Sequence, residues 1–407
     1  MSRFSYKATE SQARRLVLVL LLALVAGLAL VAVGCGGDDD EGGGDTAGAD
    51  TGAAAGGEAG CDKPIWVLLP DSATSPRWES EDRPYLDQAF TEAGVEHTIV
   101  NAEGDAATQQ SQAEQAINDG AGVIILASID TGSGGTIIDI AKEAGVDVIE
   151  YDRFNTGSSG GAAYVSFDNV KVGETMAEVL EPIIDDLGGT PRVMMLNGGE
   201  EDNNAFLFRD GYAATVEAKV DAGEWELVDD QFVPGWGANG EGQQIMEQVL
   251  ADNNNQVDAV FAANDNLATQ AINALEAAGV GPVPLSGQDA TAAGIQQIIL
   301  GKQTMTVYKP IQAEADVAAK AALALCAGED PTTIESEFDF TSIGIRAEDG
   351  KPTDTPTGEG IVPYLAEVPI GVTEENIMDT VIADEFLTIE EICTGDTADT
   401  DFCKENG

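Results

Sequence analysis

From Pro64 onward the chain alternates short apolar runs with longer amphipathic ones. Ile65-Trp66-Val67-Leu68-Leu69 is unbroken and apolar, and predicts a strand buried on both faces. A loop over 70–76 and a helix near 79–93 follow, then a strand over 95–100, a helix over about 106–119 and a strand over 122–127. A helix near 136–144 leads to a fourth strand over 146–151, which closes on Tyr151-Asp152-Arg153. Continuous apolar strands separated by helices predict a parallel sheet with right-handed crossovers.

The run Tyr164-Val165-Ser166-Phe167-Asp168-Asn169 reads as the chain leaving this lobe, because the alternation then restarts. Helices are predicted over 170–187, 204–221, 239–252, 266–278 and 291–300. Strands are predicted over 192–197, 226–232, 257–262 and 283–286. Residues 305–308 read as a second crossing strand, and the helix over 311–327 as packing back on the first lobe. The acidic stretch 329–360, rich in Thr, Pro and Gly, reads as an irregular insertion before a strand over 361–372 and a helix over 374–383. The fold class is therefore α/β, with two doubly wound parallel-sheet lobes. Ligands of such sheets bind outside the carboxyl ends of the strands, here in a cleft between the lobes.

Those strand ends carry a polar set. Arg77-Trp78 follow the first strand and Asp152-Arg153 the fourth. Asp202-Asn203-Asn204, Trp236, Asn264-Asp265 and Gln288-Asp289 follow strands of the second lobe, and Lys309 ends the crossing strand. Asp and Asn also cap helices routinely, so Asn203 and Asp265 have capping as a competing role. Arg153 has a salt bridge to Asp152 as its own, and Trp236 has packing. As a set, ionised carboxylates accept, Arg and Lys donate, and Asn does both. Charge-assisted bonds of this kind suit the hydroxyls of a neutral sugar, and flat indoles suit its apolar C–H faces. There is no nucleophile–base pair. The single histidine, His97, lies in an alternating strand-like run, which excludes a multi-histidine metal site and leaves any His-based triad to that one residue. No Gly-rich nucleotide fingerprint follows the first strand. The reading is a binding protein without cofactor or metal, and not an enzyme.

Charge narrows the partners. A formal charge of −53 over 407 residues repels nucleic acid and anionic lipid alike. The N-terminus departs from this balance. Arg3, Lys7, Arg14 and Arg15 precede an apolar run over 16–33, the pattern of an export signal. Ala32-Val33-Gly34-Cys35 then resembles a lipoprotein cleavage site, with Ala32 where Leu is usual, and makes Cys35 the candidate for lipidation. The competing reading is an uncleaved membrane anchor. Residues 35–61 form an acidic, Gly-rich tether with little to bury. An exported chain meets oxidising conditions, so the other four cysteines are disulfide candidates. Three pairings can be drawn. Cys393–Cys403 closes a short loop and is favoured, which leaves Cys61–Cys326; free buried thiols are the alternative.

In order along the chain, Arg77-Trp78, Tyr151-Asp152-Arg153, Ser166-Phe167-Asp168-Asn169, Asp202-Asn203-Asn204-Ala205, Gly235-Trp236, Asn264-Asp265, Ser286-Gly287-Gln288-Asp289-Ala290 and the run from Gln303 to Pro310 resemble the periplasmic sugar-binding proteins of ABC importers. These belong to the type I, or ribose/galactose-binding, superfamily, and the likeness is greatest to its D-xylose-binding members. It covers about 63–328 and 361–385. The resemblance implies a three-crossing hinge and lobes that close on a monosaccharide, D-xylose favoured. It also implies delivery to ABC importer permease subunits. Arg77, Asp152, Arg153, Asp202, Asn204, Asn264, Asp289 and Lys309 would hydrogen-bond the sugar, with Trp78 and Trp236 against its ring. Another aldose (glucose, arabinose or ribose) and a sugar sensor presenting its ligand to a membrane receptor are the alternatives. The expected organisation is a signal peptide over 1–34 and the tether over 35–61. An N-terminal lobe follows over 62–168 plus about 310–345, and a C-terminal lobe over 169–309 plus about 360–385. An acidic tail over 386–407 ends the chain. The protein is read as a monomer held to the outer face of the cell membrane through a lipid on Cys35.

Overall fold

The computed structural model describes residues 61–73, 75–156, 158–336, 339–345, 352–353 and 362–407. The expected signal peptide over 1–34, the lipidation candidate Cys35 and the expected tether up to Cys61 lie outside the described residues, as does much of the 329–360 segment. The first lobe is built on β1 (Ile65–Leu69), β2 (His97–Asn101), β3 (Val123–Leu126), β4 (Asp147–Tyr151) and β5 (Ala163–Phe167). Strand alternation explains why β1 is apolar throughout. Ile65, Val67 and Leu69 pack on one side against Leu86 and Phe90 of α1 (Arg83–Ala93) and the alanines of α9 (Ile311–Cys326). Trp66 and Leu68 pack on the other side against α2 (Ala106–Asn118) and α3 (Thr131–Glu143). The small side chains Ala315, Ala318, Ala319 and Ala322 let α9 lie close on the sheet.

The second lobe repeats the plan. Its sheet has the order β7 (Glu226–Phe232), β6 (Arg192–Asn197), β8 (Ala259–Ala262), all parallel. Around it lie α4 (Asn169–Asp186), α5 (Asn203–Asp221), α6 (Glu241–Asp252), α7 (Asp265–Ala277) and α8 (Ala292–Ile299). The strand expected over 283–286 is reduced to a single bridge between Leu285 and Val260.

Four stretches differ from expectation. The run over 361–372 is two strands that belong to different sheets. Residues Val362–Glu367 (β12) pair in parallel with β5 of the first lobe, and only Ile370–Val372 (β13) pairs with β9 (Thr306–Tyr308) of the second. Residues 362–367 therefore extend the first sheet, where a place in the C-terminal lobe was expected. Part of the insertion is also regular: β10 (Thr341–Ile345) runs antiparallel to β12 and to β11 (Pro352–Thr353), giving the order β11-β10-β12-β5-β4-β3-β1-β2. Finally, 386–407 is not a free acidic tail. Leu387, Ile392 and Cys403 are buried with Ile295, Tyr308 and Val372 of the second lobe, and α10 (Ile389–Ile392) and α11 (Asp401–Asn406) are short helices within it. The helix expected over 374–383 is two short turns, Glu374–Asn376 and Met378–Ile382. Disulfides join Cys61 to Cys326 and Cys393 to Cys403.

The chain crosses between lobes after Phe167, at Lys309-Pro310 and after Glu367. The crossings are laid side by side: Asp168 N donates to Glu367 O at 2.8 Å, and Tyr308 pairs with Ile370.

Candidate functional site

All ten residues that the resemblance assigns to the sugar, Arg77, Trp78, Asp152, Arg153, Asp202, Asn204, Trp236, Asn264, Asp289 and Lys309, line one cleft between the lobes; of the other strand-end residues Gln288 lines it too, and Asn203 and Asp265 do not. Ser75, Phe208 and Gln288 complete the lining. Ser75 and Gln288 are close neighbours of Arg77 and Asp289. Phe208 lies one turn beyond Asn204 in α5, at a helical position that reads as core, and its apolar pattern alone gives no sign of the cleft.

Asp152 is the hub. Its Oδ2 accepts from Arg77 Nη1 at 2.8 Å and from Lys309 Nζ at 3.3 Å. From the second lobe, Asn204 Nδ2 donates to Asp152 Oδ1 at 3.1 Å and to its backbone O at 3.0 Å. Burial on its own would raise this carboxyl. Lys309, Arg77 and Arg153 outweigh burial and hold it well below the usual carboxylate range. The backbone is strained where it presents these groups. Asp152, Trp236 and Asp289 have φ of 60°, 52° and 95°. Positive φ costs a side-chain-bearing residue about 1–3 kcal/mol and persists where surrounding structure over-determines it. Asp visits this region more readily than Trp does.

Arg77 is committed to its neighbours. Nε and Nη2 fork onto Asp82 at 2.9 and 2.7 Å, and Nη2 also donates to Glu314 Oε2 at 2.8 Å. Tyr151 Oη donates to the same Asp82 at 2.7 Å. With Nη1 on Asp152, four of the five guanidinium N–H groups are engaged, so Arg77 has a single N–H left for any ligand. Burial would lower its pKa, but Asp82, Asp152 and Glu314 raise it above the ordinary value. Glu314 is pushed well up by burial, with Arg77 opposing.

Arg153 pairs with Asp202 across the cleft at 2.9 Å, in place of the salt bridge to Asp152 that competed in the sequence. Its Nη1 donates to Ser128 O at 2.8 Å, and its buried Nε, though an ion-pair distance from Asp202, makes no well-aligned hydrogen bond among the described residues. Asp202 caps α5, accepting from Asn204 N at 2.9 Å, and accepts from Trp236 Nε1 at 3.2 Å. Burial raises its pKa and Arg153 opposes. Asn264 caps α7 through Leu267 N at 2.9 Å. Capping and lining the cleft are thus one role for Asp202 and Asn264, and it is these residues, not Asn203 and Asp265, that cap. Asp265 is buried beneath the cleft.

The two indoles are held differently. Trp78 lies under both guanidinium groups, with Arg77 Cζ 4.5 Å and Arg153 Cζ 5.5 Å from its ring. Trp236 packs edge-on to Phe208 at 6.0 Å, over Gly198, where a Cβ would come within 2.4 Å of the ring. Asp289 accepts from Ser75 Oγ at 3.2 Å across the cleft and from Gln288 Nε2, and lies 3.9 Å from Lys309 Nζ. Three cations and three carboxylates thus face one another between aromatic walls. That arrangement is electrically balanced and rich in both donors and acceptors, which suits an uncharged polyhydroxyl ligand. His97 lies outside the cleft on strand β2, hydrogen-bonded to Asp87 at 3.0 Å.

Residues 66–330 match the family described as a periplasmic binding protein domain. The chain is 37% identical over 325 residues to the D-xylose-binding periplasmic protein of Escherichia coli K12, covering 79% of this chain and 90% of that one. The D-xylose-binding periplasmic protein of Haemophilus influenzae is 36% identical over 323 residues, with the same coverage. Among solved structures, an ABC transporter solute-binding protein from Clostridium phytofermentans with bound β-D-glucose superposes with a TM-score of 0.71 at 26% identity, over 81% of this chain and 100% of that one. With two doubly wound lobes, three crossings and these relatives, the chain belongs to the periplasmic binding protein family and has its type I fold.

Proposed function

We propose that the protein is an extracytoplasmic solute-binding protein that captures a monosaccharide, D-xylose favoured, between its closing lobes and delivers it to an ABC importer. The observation that carries this is the gathering of ten sugar-suited side chains in one balanced cleft, with Asp152 bonded from both lobes and the hinge. Asp152, Asp202 and Asp289 accept from sugar hydroxyls, and Arg153, Lys309, Asn204 and Asn264 donate. Arg77 gives one N–H and otherwise holds Asp152. Trp78 and Trp236 flank the ring. The names of the two relatives favour D-xylose, and the glucose held by the solved one keeps other aldoses as the second choice.

Closure follows from the geometry. Asn204–Asp152, Arg153–Asp202 and Ser75–Asp289 each join one lobe to the other. A sugar that bonds to both members of such pairs binds the closed form better than the open one, and shifts the equilibrium by that difference. A glycosidase reading would need Asp152 as its acid, and Lys309, Arg77 and Arg153 hold that carboxyl well below the usual carboxylate range. The basic, apolar leader and Cys35 favour export and lipid anchoring, with the tether giving the lobes reach. A sensor role would use the same cleft and a different membrane partner.

Calorimetry of residues 61–407, which keep the Cys61–Cys326 bond, against a pentose and hexose panel tests the ligand. Xylose should bind tightest; a panel in which another sugar binds and xylose does not would overturn the choice. Asp289→Ala should abolish the sugar-dependent rise in melting temperature while the protein stays folded. Turnover of a disaccharide would replace the binding-only reading.

A further inference from the structure

Asp265 is 2% exposed and is not part of the cleft lining, yet its carboxylate joins three segments that are. Oδ1 accepts from Gln303 Nε2 at 2.9 Å and from Thr306 Oγ1 at 2.8 Å. Oδ2 accepts from Thr291 N at 2.8 Å and Thr291 Oγ1 at 3.0 Å. Its backbone N donates to Gln288 O at 2.9 Å. One side chain thus ties the start of α7, next to Asn264, to the loop carrying Asp289 and to the strand that ends in Lys309. The sequence leaves room for it: a Cβ on Gly287 would fall 2.2 Å from Oδ1, and one on Gly294 2.1 Å from Oδ2.

Asp289, at φ 95°, needs such restraint. Its N donates to Val307 O at 2.9 Å, and Ala290 N donates to Thr306 Oγ1 at 3.2 Å, so the loop is zipped to β9 on one side and clamped by Asp265 on the other. We propose that Asp265 is a positioning residue for ligand capture: its buried carboxylate fixes Asn264, Asp289 and Lys309 relative to one another, and so sets which hydroxyls the second lobe reads. A neutral amide cannot do this. Four donors point at the two oxygens, and Asn would set an NH2 against two of them. The inference rests on the reading of the cleft as a monosaccharide site.

The test uses the full-length protein in detergent, wild type and Asp265→Asn, titrated with D-xylose and each monodeoxy-xylose. Melting temperature without sugar is recorded in parallel. Asp265→Asn should stay folded and bind xylose at least about tenfold more weakly, and the loss should be confined to one or two hydroxyls, whose removal no longer matters in the variant. Unchanged affinity overturns the proposal, and so does an equal loss of discrimination at every hydroxyl, which is the mark of general loosening. If Asp265→Asn does not fold, Thr306→Val, which removes one donor to the same carboxylate, is read by the same two criteria. A wild-type protein that binds no sugar overturns the reading of the cleft itself, separately from the part played by Asp265.

Discussion

Replacing Asp152 by Asn would leave Arg77 and Lys309 buried with their shared counter-charge gone. Breaking a buried pair on one side costs about 3–5 kcal/mol. Urea unfolding of Asp152→Asn should show a loss of that order, together with loss of sugar binding; a variant as stable as wild type would deny Asp152 its place as hub. Glu150 behaves in the opposite sense. Burial pushes it up to about 7, against the donors Gly161 N and Asn155. A carboxyl raised in the folded state binds its proton more tightly there, so its contribution is present below the unfolded value and is lost as pH rises through about 7. Between about pH 4.5 and 7 this group should therefore make stability fall with rising pH, by up to about 1.4 kcal/mol per unit. Melting temperatures across that range check this, and Glu150→Gln should flatten the slope. The depressed Asp152 acts only at lower pH and leaves the window alone. What sequence could not show at this scale is how a donor is divided. Arg77 stands at a strand end like Arg153, but Asp82 and Glu314, remote in sequence or hidden in helical pattern, take most of its N–H groups.

At the scale of elements, the strands and helices around the cleft were legible because each apolar run has one period and one burial. The 361–372 run was not, since a continuous apolar stretch does not reveal a change of sheet after Glu367. The C-terminal segment was hidden by its acidic residues, which mask Phe386, Leu387, Ile389, Ile392 and Phe402, all packed toward the second lobe. Covalent links matter here. Cys61–Cys326 closes a loop of 265 residues and ties the start of the first lobe to the end of α9. Removing it by Cys61→Ser with Cys326→Ser should lower stability by about 2–5 kcal/mol, read by denaturant unfolding, with sugar affinity unchanged because neither cysteine lines the cleft.

For the whole molecule, strand–helix alternation that stops and restarts was enough to read two lobes and a cleft, while the extent of each lobe depended on pairings that only three dimensions supply. Net charge acts at this scale too. At −53 the folded chain repels itself, and the repulsion is relieved as ions screen it. Raising ionic strength from about 0.01 to 0.15 M should raise the melting temperature while leaving affinity for a neutral sugar nearly constant, since the cleft charges are paired and buried. A parallel fall in affinity would point to a charged ligand instead.

The three crossings carry a mechanical consequence. A single strand between two bodies permits bending and twisting about any axis. Here Asp168 is bonded to Glu367, and Tyr308 to Ile370, so the crossings form a short ribbon. Twisting such a ribbon, or tilting it within its own plane, stretches one edge strand against another; flexing across its width stretches none. Flexing across its width is the motion such a ribbon resists least, and it is the one the proposed opening and shutting of the cleft would use.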